Sequence, residues 1–499
     1  MKLLVANRGE IAVRILRGAR EMGWETVAVY SEADRAALHV QEAQEAVCIG
    51  APEPAASYLD IDAILEAARA TGAGALHPGY GFLAENATLA GRCAEAGVAF
   101  VGPPAEAIAA MGNKVAARRL MQQAGVPVIP GTEGKDQSVE ALAAEAREIR
   151  PPLLVKAAGG GGGKGMRIVE RHEDLPAAIR QAQQESGSAF GDSTVYIEKF
   201  LEEPRHIEFQ VLADTHGKTI HLFERECSIQ RRHQKIIEET PSTAVTPELR
   251  RRMGAAAVAA AEAVGYTNAG TVEFLLDRHQ NFYFLEMNTR LQVEHPITEA
   301  TTGVDLVHWQ LRVTAGEKLA LKQDDLQQRG HAIEARIYAE DAAHDFRPSM
   351  GAIVLLQEPV GPGIRVDSGI YEGYEVSPYY DPILAKLIAW GEERDVACRR
   401  MIRALENYII LGIHPNIPFL KDVVAHPAFA AGKTTTSFLK EYMPDWKLDT
   451  ARVPPEVAVA AALGELWARP AAGAGAQTQR ATPWDTVGPW EIGAGISSG

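Results

Sequence analysis

The sequence predicts a mixed α/β and α+β chain, and three observations carry that prediction. Apolar runs near the N-terminus alternate with helix-spaced segments, the middle of the chain mixes helices with many apolar β-runs, and a β-rich stretch follows. "KLLVA" (2–6) reads as a buried strand, residues 9–22 carry helical spacing (Ile11, Ile15, Leu16, Met22), and "ETVAVY" (25–30) reads as a second strand. Strand signals at 75–77 and 98–101 alternate with Ala-rich helices, giving a small Rossmann-like parallel-sheet domain over 1–112. Its first turn, "ANRGEIA", has no G-x-G-x-x-G, so this domain is expected to be a scaffold rather than a dinucleotide site. Over 113–330 the β-runs are "PLLVKA", "GMRIV", "TVYIEKFL", "HIEFQVLAD", "TIHLFE", "TVEFLLD" and "NFYFLEMN". From 331 to 446, "AIEARIYAE" and "AIVLLQ" precede a helix at 394–406. In the Ala/Pro/Gly-rich tail, 447–499, one helix is expected over 453–468, starting at its prolines, with the remainder disordered.

Composition bounds the function. With 499 residues, 46% of them hydrophobic and a formal charge of −15, the chain can bury about three cores and offers no general surface for nucleic acid or anionic membrane. Its four cysteines lie far apart without a CxxC pair, which argues against a disulfide framework or zinc cluster and fits a reducing cytoplasm. No run of about 18 apolar residues is present, so no membrane span is expected.

"KAAGGGGGKGMRIV" (156–169) holds five successive glycines between two lysines. Fixing five glycines in a helix or strand would cost about 2.5–5 kcal/mol against alanine, so the run is a loop. It fails the Walker pattern at both ends, since Ala158 and Gly165 stand where Gly and Ser/Thr are required. Flanking β-runs leave two arrangements open, a flap covering a ligand or a generous hairpin turn. On the flap reading the glycine amides wrap phosphate oxygens and Lys156 neutralises their charge.

"TVEFLLDRHQNFYFLEMNTRLQVEHP" (271–296) is more specific. A four-residue turn, Arg278 to Asn281, would pair Asp277 with Phe282 and set Glu273 opposite Glu286. Facing like charges are destabilising unless a cation bridges them or both are solvated. Asn288, on the same face, adds a neutral oxygen, and hard oxygen ligands beside a phosphate loop suit Mg²⁺ or Mn²⁺. If the strand continues, Arg290, Gln292 and Glu294 also share that face: a guanidinium fork for a small anion, an amide and a candidate base. "RECSIQRRHQKIIEE" (225–239) concentrates Arg231, Arg232, His233 and Lys235, either as a local positive site or as a solvated basic turn. Lys114 and His206 stand alone.

Taken together, "ANRGEIAVRI", "HPGYGFLAEN", "VKAAGGGGGKGMR", "IEKFLEEPRHIEFQVLAD", "RECSIQRRHQKIIEE" and "FLEMNTRLQVEHPITE" closely resemble biotin carboxylase of the ATP-grasp superfamily, over about residues 1–446. The resemblance extends to the carboxylase subunit or domain of acetyl-CoA, propionyl-CoA and other acyl-CoA carboxylases and of pyruvate carboxylase. It implies an ATP-grasp fold with a mobile lid at 128–202 and ATP between lid and body. Lys114, Lys156, His206 and the amides of Gly161, Gly162 and Gly163 then match phosphate-binding positions, and Glu198, Lys199 and Leu201 lie in the adenine-holding segment. Glu273, Glu286 and Asn288 match metal positions, and Gln230, His233 and Lys235 surround the γ-phosphate and bicarbonate.

The implied mechanism has Glu294 deprotonate bicarbonate held by Lys235, Arg290, Gln292 and the Val293 amide, giving carboxyphosphate and ADP. Arg336 then stabilises the ureido oxygen of biotin as N1′ captures CO₂. Two departures from relatives are Lys164, in place of an arginine, and Pro362, where some homodimeric relatives carry an aromatic residue; a homodimer is still expected. "MKL" at the initiator is the sole approach to a biotinylation motif, and no carboxyltransferase-sized region remains. Biotin is therefore expected on a biotin carboxyl carrier protein, with a carboxyltransferase as further partner, or on a part of the chain absent here. "TPWDTVGPW" (482–490) is faintly similar to the segment leading into the next domain of longer acyl-CoA carboxylase chains. The alternatives are another ATP-grasp carboxylate ligase and a non-catalytic nucleotide-binding regulator.

Overall fold

The computed structural model describes residues 1–132, 134, 136–157, 166–448 and 455–468. Five parallel strands open the chain: β1 (Lys2–Val5), β2 (Glu25–Ser31), β3 (Glu45–Gly50), β4 (Ala75–His77) and β5 (Ala99–Phe100), ordered β3-β2-β1-β4-β5. Between β1 and β2 the helix Gly9–Glu21 buries Ile11, Ile15, Leu16 and Ala19 on one face, and Gly23 beyond its end takes φ 75°, where a side chain would be strained. β3 is absent from the sequence expectation: at this sheet edge only Ile49 is fully buried, so "EAVCIG" lacks a strand's apolar signature.

Three strands, β6 (Leu153–Ala157), β7 (Arg167–Val169) and β8 (Val195–Lys199), form a separate antiparallel sheet in the order β7-β6-β8. They pack with the helix Leu175–Phe190 around their own core of Leu153, Val155, Ile179, Val195 and Ile197. The glycine run, with Gly161, Gly162, Gly163 and Lys164, lies outside the described residues.

Eight strands make the largest sheet. β9 (Arg205–Ala213), β10 (Thr219–Arg231), β11 (Gln234–Thr240), β12 (Asn268–Leu276), β13 (Phe282–Asn288) and β14 (His331–Tyr338) run in the order β13-β12-β9-β10-β11-β14, followed by Ile383–Gly391 and then Ile364–Ser368. The sheet is continuous through residue 330, because β11 hydrogen-bonds to β14 (Ile237↔Ala335). Its β9–β12–β13 end covers the helix Pro247–Ala263 through Phe209, Phe274 and Met253, and its far end packs on the helix Arg394–Asn407. "AIVLLQ" divides into two short strands, Gly351–Ala352 and Leu355–Gln357, which pair with different partners.

Met1–Trp446 forms one compact unit and Lys447–Gly499 a second. In the second, Pro455–Ala468 is the helix expected there, beginning at a proline whose missing N–H costs nothing in a first turn; the expected disorder falls outside the described residues. Among the described residues, no helix is long and apolar enough to cross a membrane.

Candidate active site

Strand alternation builds the site. In β9, Ile207, Phe209 and Val211 face the core while His206, Glu208 and Gln210 face the other way. Register then lays a row of charges across four strands: Glu286 opposite Glu273, Glu273 opposite Glu208, and Glu208 opposite Arg225. Three adjacent carboxylates repel one another. Lys235, reaching in from β11, answers two of them and a further carboxylate: its Nζ donates to Glu208 Oε2 (2.6 Å), Glu273 Oε1 (2.8 Å) and Glu294 Oε1 (2.8 Å). Burial alone would lower this ammonium's pKa, but Glu208, Glu273 and Glu294 hold it well above the usual lysine range.

Arg225 is wholly buried and spends its donors inside the cluster, on Glu208 (2.6 Å), Gln210 (2.8 Å), Thr298 (3.0 Å), Thr271 (3.2 Å) and Gln292 (2.7 Å). With its oxygen occupied by Arg225, the Gln292 amide turns its nitrogen to Glu273 Oε1 at 2.8 Å. Glu294 accepts from Lys235 and, at 3.0 Å, from Arg336, whose Nε holds Glu238 at 2.6 Å. Burial pushes the Glu294 carboxyl up, yet Lys235, Arg336 and Arg225 together bring it well below the carboxylate range. Arg290 places Nε 3.1 Å from Glu85 and donates from Nη2 to Asn288 Oδ1 at 3.0 Å.

The opposition of Glu273 and Glu286 agrees with the expectation, but the route differs. Asp277 does not pair with Phe282; Leu276 does, and the turn holds five residues, Asp277–Asn281. Asp277 Oδ1 accepts from the amides of His279 and Asn281, closing a side-chain-capped turn with Gln280 at φ 64°. A bulge between the Phe274–Phe284 and Glu273–Glu286 pairs takes up Leu285 as the extra residue and restores the opposition. The uninterrupted strand through Glu294 is not present: β13 ends at Asn288. Thr289 N is drawn to Glu85 Oε1 at 3.1 Å, and the helix His295–Thr302 begins at once with Pro296 in its first turn, so the chain must leave the sheet. Arg290, Gln292 and Glu294 still converge on the same cluster, through the irregular segment between them.

His206 Nε2 lies 2.7 Å from Glu273 Oε2, and Gln230 Nε2 is 2.8 Å from His206 Nδ1. Lys114, at the start of its helix, sits 3.8 Å from Glu286 Oε2 beside a cavity of about 180 Å³ lined by Ile108, Met111, Phe284, Leu285 and Asn288. In the three-stranded sheet Lys156 donates to Glu198 at 3.1 Å, and Arg118 donates to the other Glu198 oxygen at 2.9 Å. Leu201 is buried and Lys199 exposed. The basic cluster divides. Arg231 pairs with Glu340 and exposed Arg232 with Asp345, while His233, at φ 67° in the β10–β11 turn, is exposed. From that cluster only Lys235 joins the carboxylates.

The donor set fits a hard divalent cation. Burial and the charge of Glu273 push the Glu286 carboxyl above its usual range, so a cation between the two carboxylates would be favourable, and the Asn288 amide, within 2.8 Å of Glu273, adds a neutral oxygen to the set. Sequence reasoning missed Glu208, Arg225, Glu238 and Glu85. For Glu208 the signal was there: "HIEFQV" (206–211) alternates polar and apolar residues strictly, and only its histidine stands among the candidates.

A long antiparallel sheet with opposed metal-type carboxylates, joined to a smaller sheet that carries a lysine beside a glycine run, defines an ATP-grasp ligase. Family models agree: "Biotin carboxylase, N-terminal domain" matches residues 1–108, "Carbamoyl-phosphate synthase L chain, ATP binding domain" 113–322, and "Biotin carboxylase C-terminal domain" 334–441. The chain is 56% identical over 441 residues to a pyruvate carboxylase subunit of Methanothermobacter thermautotrophicus, covering 88% of this chain and 90% of that one. It is 54% identical to the biotin carboxylase of Nostoc, covering 88% and 98%. The biotin carboxylase domain dimer of Hydrogenobacter thermophilus 2-oxoglutarate carboxylase, solved with MgADP, ADP and bicarbonate, superimposes with a TM-score of 0.84 at 48% identity over 88% of this chain and 97% of that one. The chain belongs to the biotin carboxylase family.

Proposed function

We propose that this chain carboxylates biotin at N1′ in an ATP- and bicarbonate-dependent reaction, with the biotin carried on a biotin carboxyl carrier protein. This is the first half-reaction of an acyl-CoA or pyruvate carboxylase, and the second half belongs to a carboxyltransferase partner. One observation carries the reading: Lys235, Arg290, Gln292, Glu294 and Arg336 meet around one cluster, three cations and an amide next to a carboxylate. That is a receptor for a small oxyanion with a base beside it.

Bicarbonate enters between Arg290 and Lys235 and takes up part of the positive charge that now holds Glu294 acidic. Glu294 thereby gains basicity at the moment its proton partner arrives, and removes the bicarbonate proton. The resulting dianion attacks the γ-phosphate of ATP, giving carboxyphosphate and ADP, with Lys114, Lys156, His206 and Gln230 holding the phosphates. Glu273, Glu286 and Asn288 would hold Mg²⁺ or Mn²⁺, which when bound neutralises phosphate charge. Carboxyphosphate yields CO₂ and phosphate; the phosphate takes the N1′ proton of biotin, and Arg336 stabilises the ureido oxygen as N1′ attacks CO₂. The assignments of His233, Lys199, Leu201, Val293 and Gly161–Gly163 rest on the family resemblance, as does a homodimeric state.

The test is ADP release that depends on both bicarbonate and biotin, with ¹⁴C fixed into biotin. ATP turnover without biotin dependence would favour another carboxylate ligase, and no turnover a regulator. Arg290→Ala removes the anion fork and is expected to lower turnover about 10²–10³-fold; near-normal turnover would overturn this assignment.

A further inference from the structure

Lys386 is fully buried in the strand Ile383–Gly391, and no step of the proposed reaction uses it. It stands directly across from Arg336 on β14 and, on its other side, from Asp367. Two neighbouring cations on one face of a sheet repel unless each has its own carboxylate. Arg336 has Glu238 and Glu294. The Nζ of Lys386 has Glu10 Oε2 at 3.1 Å and Asp367 Oδ2 at 3.8 Å, an ion pair and a more distant charge. Glu10 belongs to the first helix of the chain and is held from its other oxygen by the hydroxyl of Tyr80.

Lys386 Nζ also lies 6.0 Å from the centre of the Tyr80 ring, and it donates a hydrogen bond to the carbonyl oxygen of Val293 at 3.1 Å. Val293 lies between Gln292 and Glu294 in the irregular segment where no strand ladder fixes the backbone. Glu294 is gripped through its side chain by Lys235 and Arg336, and Gln292 through its side chain by Arg225. Lys386 holds the main chain between them. Keeping a buried ammonium and its carboxylate desolvated costs too much for packing alone, since a methionine of similar length opposite a neutral residue would fill the space without burying either charge.

We propose that Lys386, seated on Glu10, is a positioning residue for the anion site: it fixes the Val293 peptide so that the Gln292–Glu294 segment presents its amide and carboxylate to bicarbonate. The proposal rests on the reading of this segment as the bicarbonate site. It makes the N-terminal helix a structural support of the site, because the counter-ion of Lys386 comes from there.

Lys386→Met and the charge-balanced pair Glu10→Gln/Lys386→Met are compared with the full-length wild type in the biotin-dependent assay, with MgADP affinity measured by titration calorimetry. Loss of a hydrogen bond from a charged donor is expected to raise the KM for bicarbonate about tenfold or more, with the KM for ATP and the MgADP affinity changed less than about twofold. If Lys386→Met does not fold, the paired variant is read alone, since it buries no unbalanced charge. An unchanged bicarbonate KM in a folded variant overturns the proposal, and so does an equal change for bicarbonate and nucleotide, the sign of a general structural role. The wild type separates the two levels. Saturable bicarbonate dependence in it upholds the functional reading whatever the variants do, and its absence overturns that reading and the proposal with it.

Discussion

At the residue scale, the site is a problem in charge balance. Five glutamates (Glu208, Glu238, Glu273, Glu286 and Glu294) gather with Lys235, Arg225, Arg290 and Arg336, and nearly every donor is committed to a named acceptor. Glu334 departs from this pattern: it is fully buried and neither carboxylate oxygen has a hydrogen-bond partner. Burial, followed by the charge of Glu238, pushes its pKa well above the usual range. A carboxyl raised on folding contributes stability below its unfolded pKa and loses it as pH rises toward the folded value, at up to about 1.4 kcal/mol per pH unit. Glu334→Gln, neutral at every pH, is therefore expected to match the wild type in thermal midpoint near pH 4.5 and to exceed it increasingly from pH 5 to 8. A constant difference across that range would count against a neutral Glu334. Glu273 and Glu294 work in the opposite sense. Held well below the carboxylate range, they support the fold above the ordinary carboxylate pKa, and that support is lost progressively as pH falls from that ordinary value toward their depressed ones.

At the element scale, two local devices set what the side chains can do. The bulge at Leu285 gives back the residue that the longer Asp277–Asn281 turn consumes, so metal-type carboxylates face each other through a strand pair of two registers. Composition cannot reveal a bulge, and the simple four-residue turn reached the correct opposition by the wrong path. The second device is the contact between Gly369, just past the strand Ile364–Ser368, and the start of the first helix. A Cβ at Gly369 would stand 2.5 Å from Glu10 N and 2.8 Å from Gly9 C, backbone atoms that cannot rotate away. Gly369→Ala is expected to destabilise the chain by about 1–3 kcal/mol through overpacking, read as a lower thermal midpoint. It is also expected to raise the bicarbonate KM, because it displaces the residue that seats Lys386; a midpoint within error of wild type would show that the helix shifts freely.

At the scale of the molecule, the large sheet is the common support, and the small β7-β6-β8 sheet carries a core of its own. A subdomain with a private core can open and close as a body, and nucleotide bound against it adds a link that only the bound form has. Saturating MgATP, at about 100 times its Kd, is expected to raise the free energy of opening by about 2.7 kcal/mol and slow amide exchange in Leu153–Ala157 and Val195–Lys199 about 100-fold. Exchange in β1 and β4 is expected to change far less. Equal slowing throughout, or none in the small sheet, would argue against nucleotide engaging this subdomain.

The sequence by itself determined most of the elements and the side-chain alternation along them. Period-two and helical patterns gave the parallel sheet and the central β-runs, and Glu273, Glu286 and Asn288 followed from alternation along two adjacent strands, because side-chain direction is a local property. Tertiary structure decided which charges meet. Lys235 lies 38 residues from Glu273 and 59 from Glu294, and Arg336 and Lys386 reach Glu294 and Val293 only because β14 and its neighbour join the sheet beyond β11. Strand order, unlike strand pattern, is set by long-range pairing. The buried partners Glu208, Arg225 and Glu10 therefore became visible only once the strands were in place.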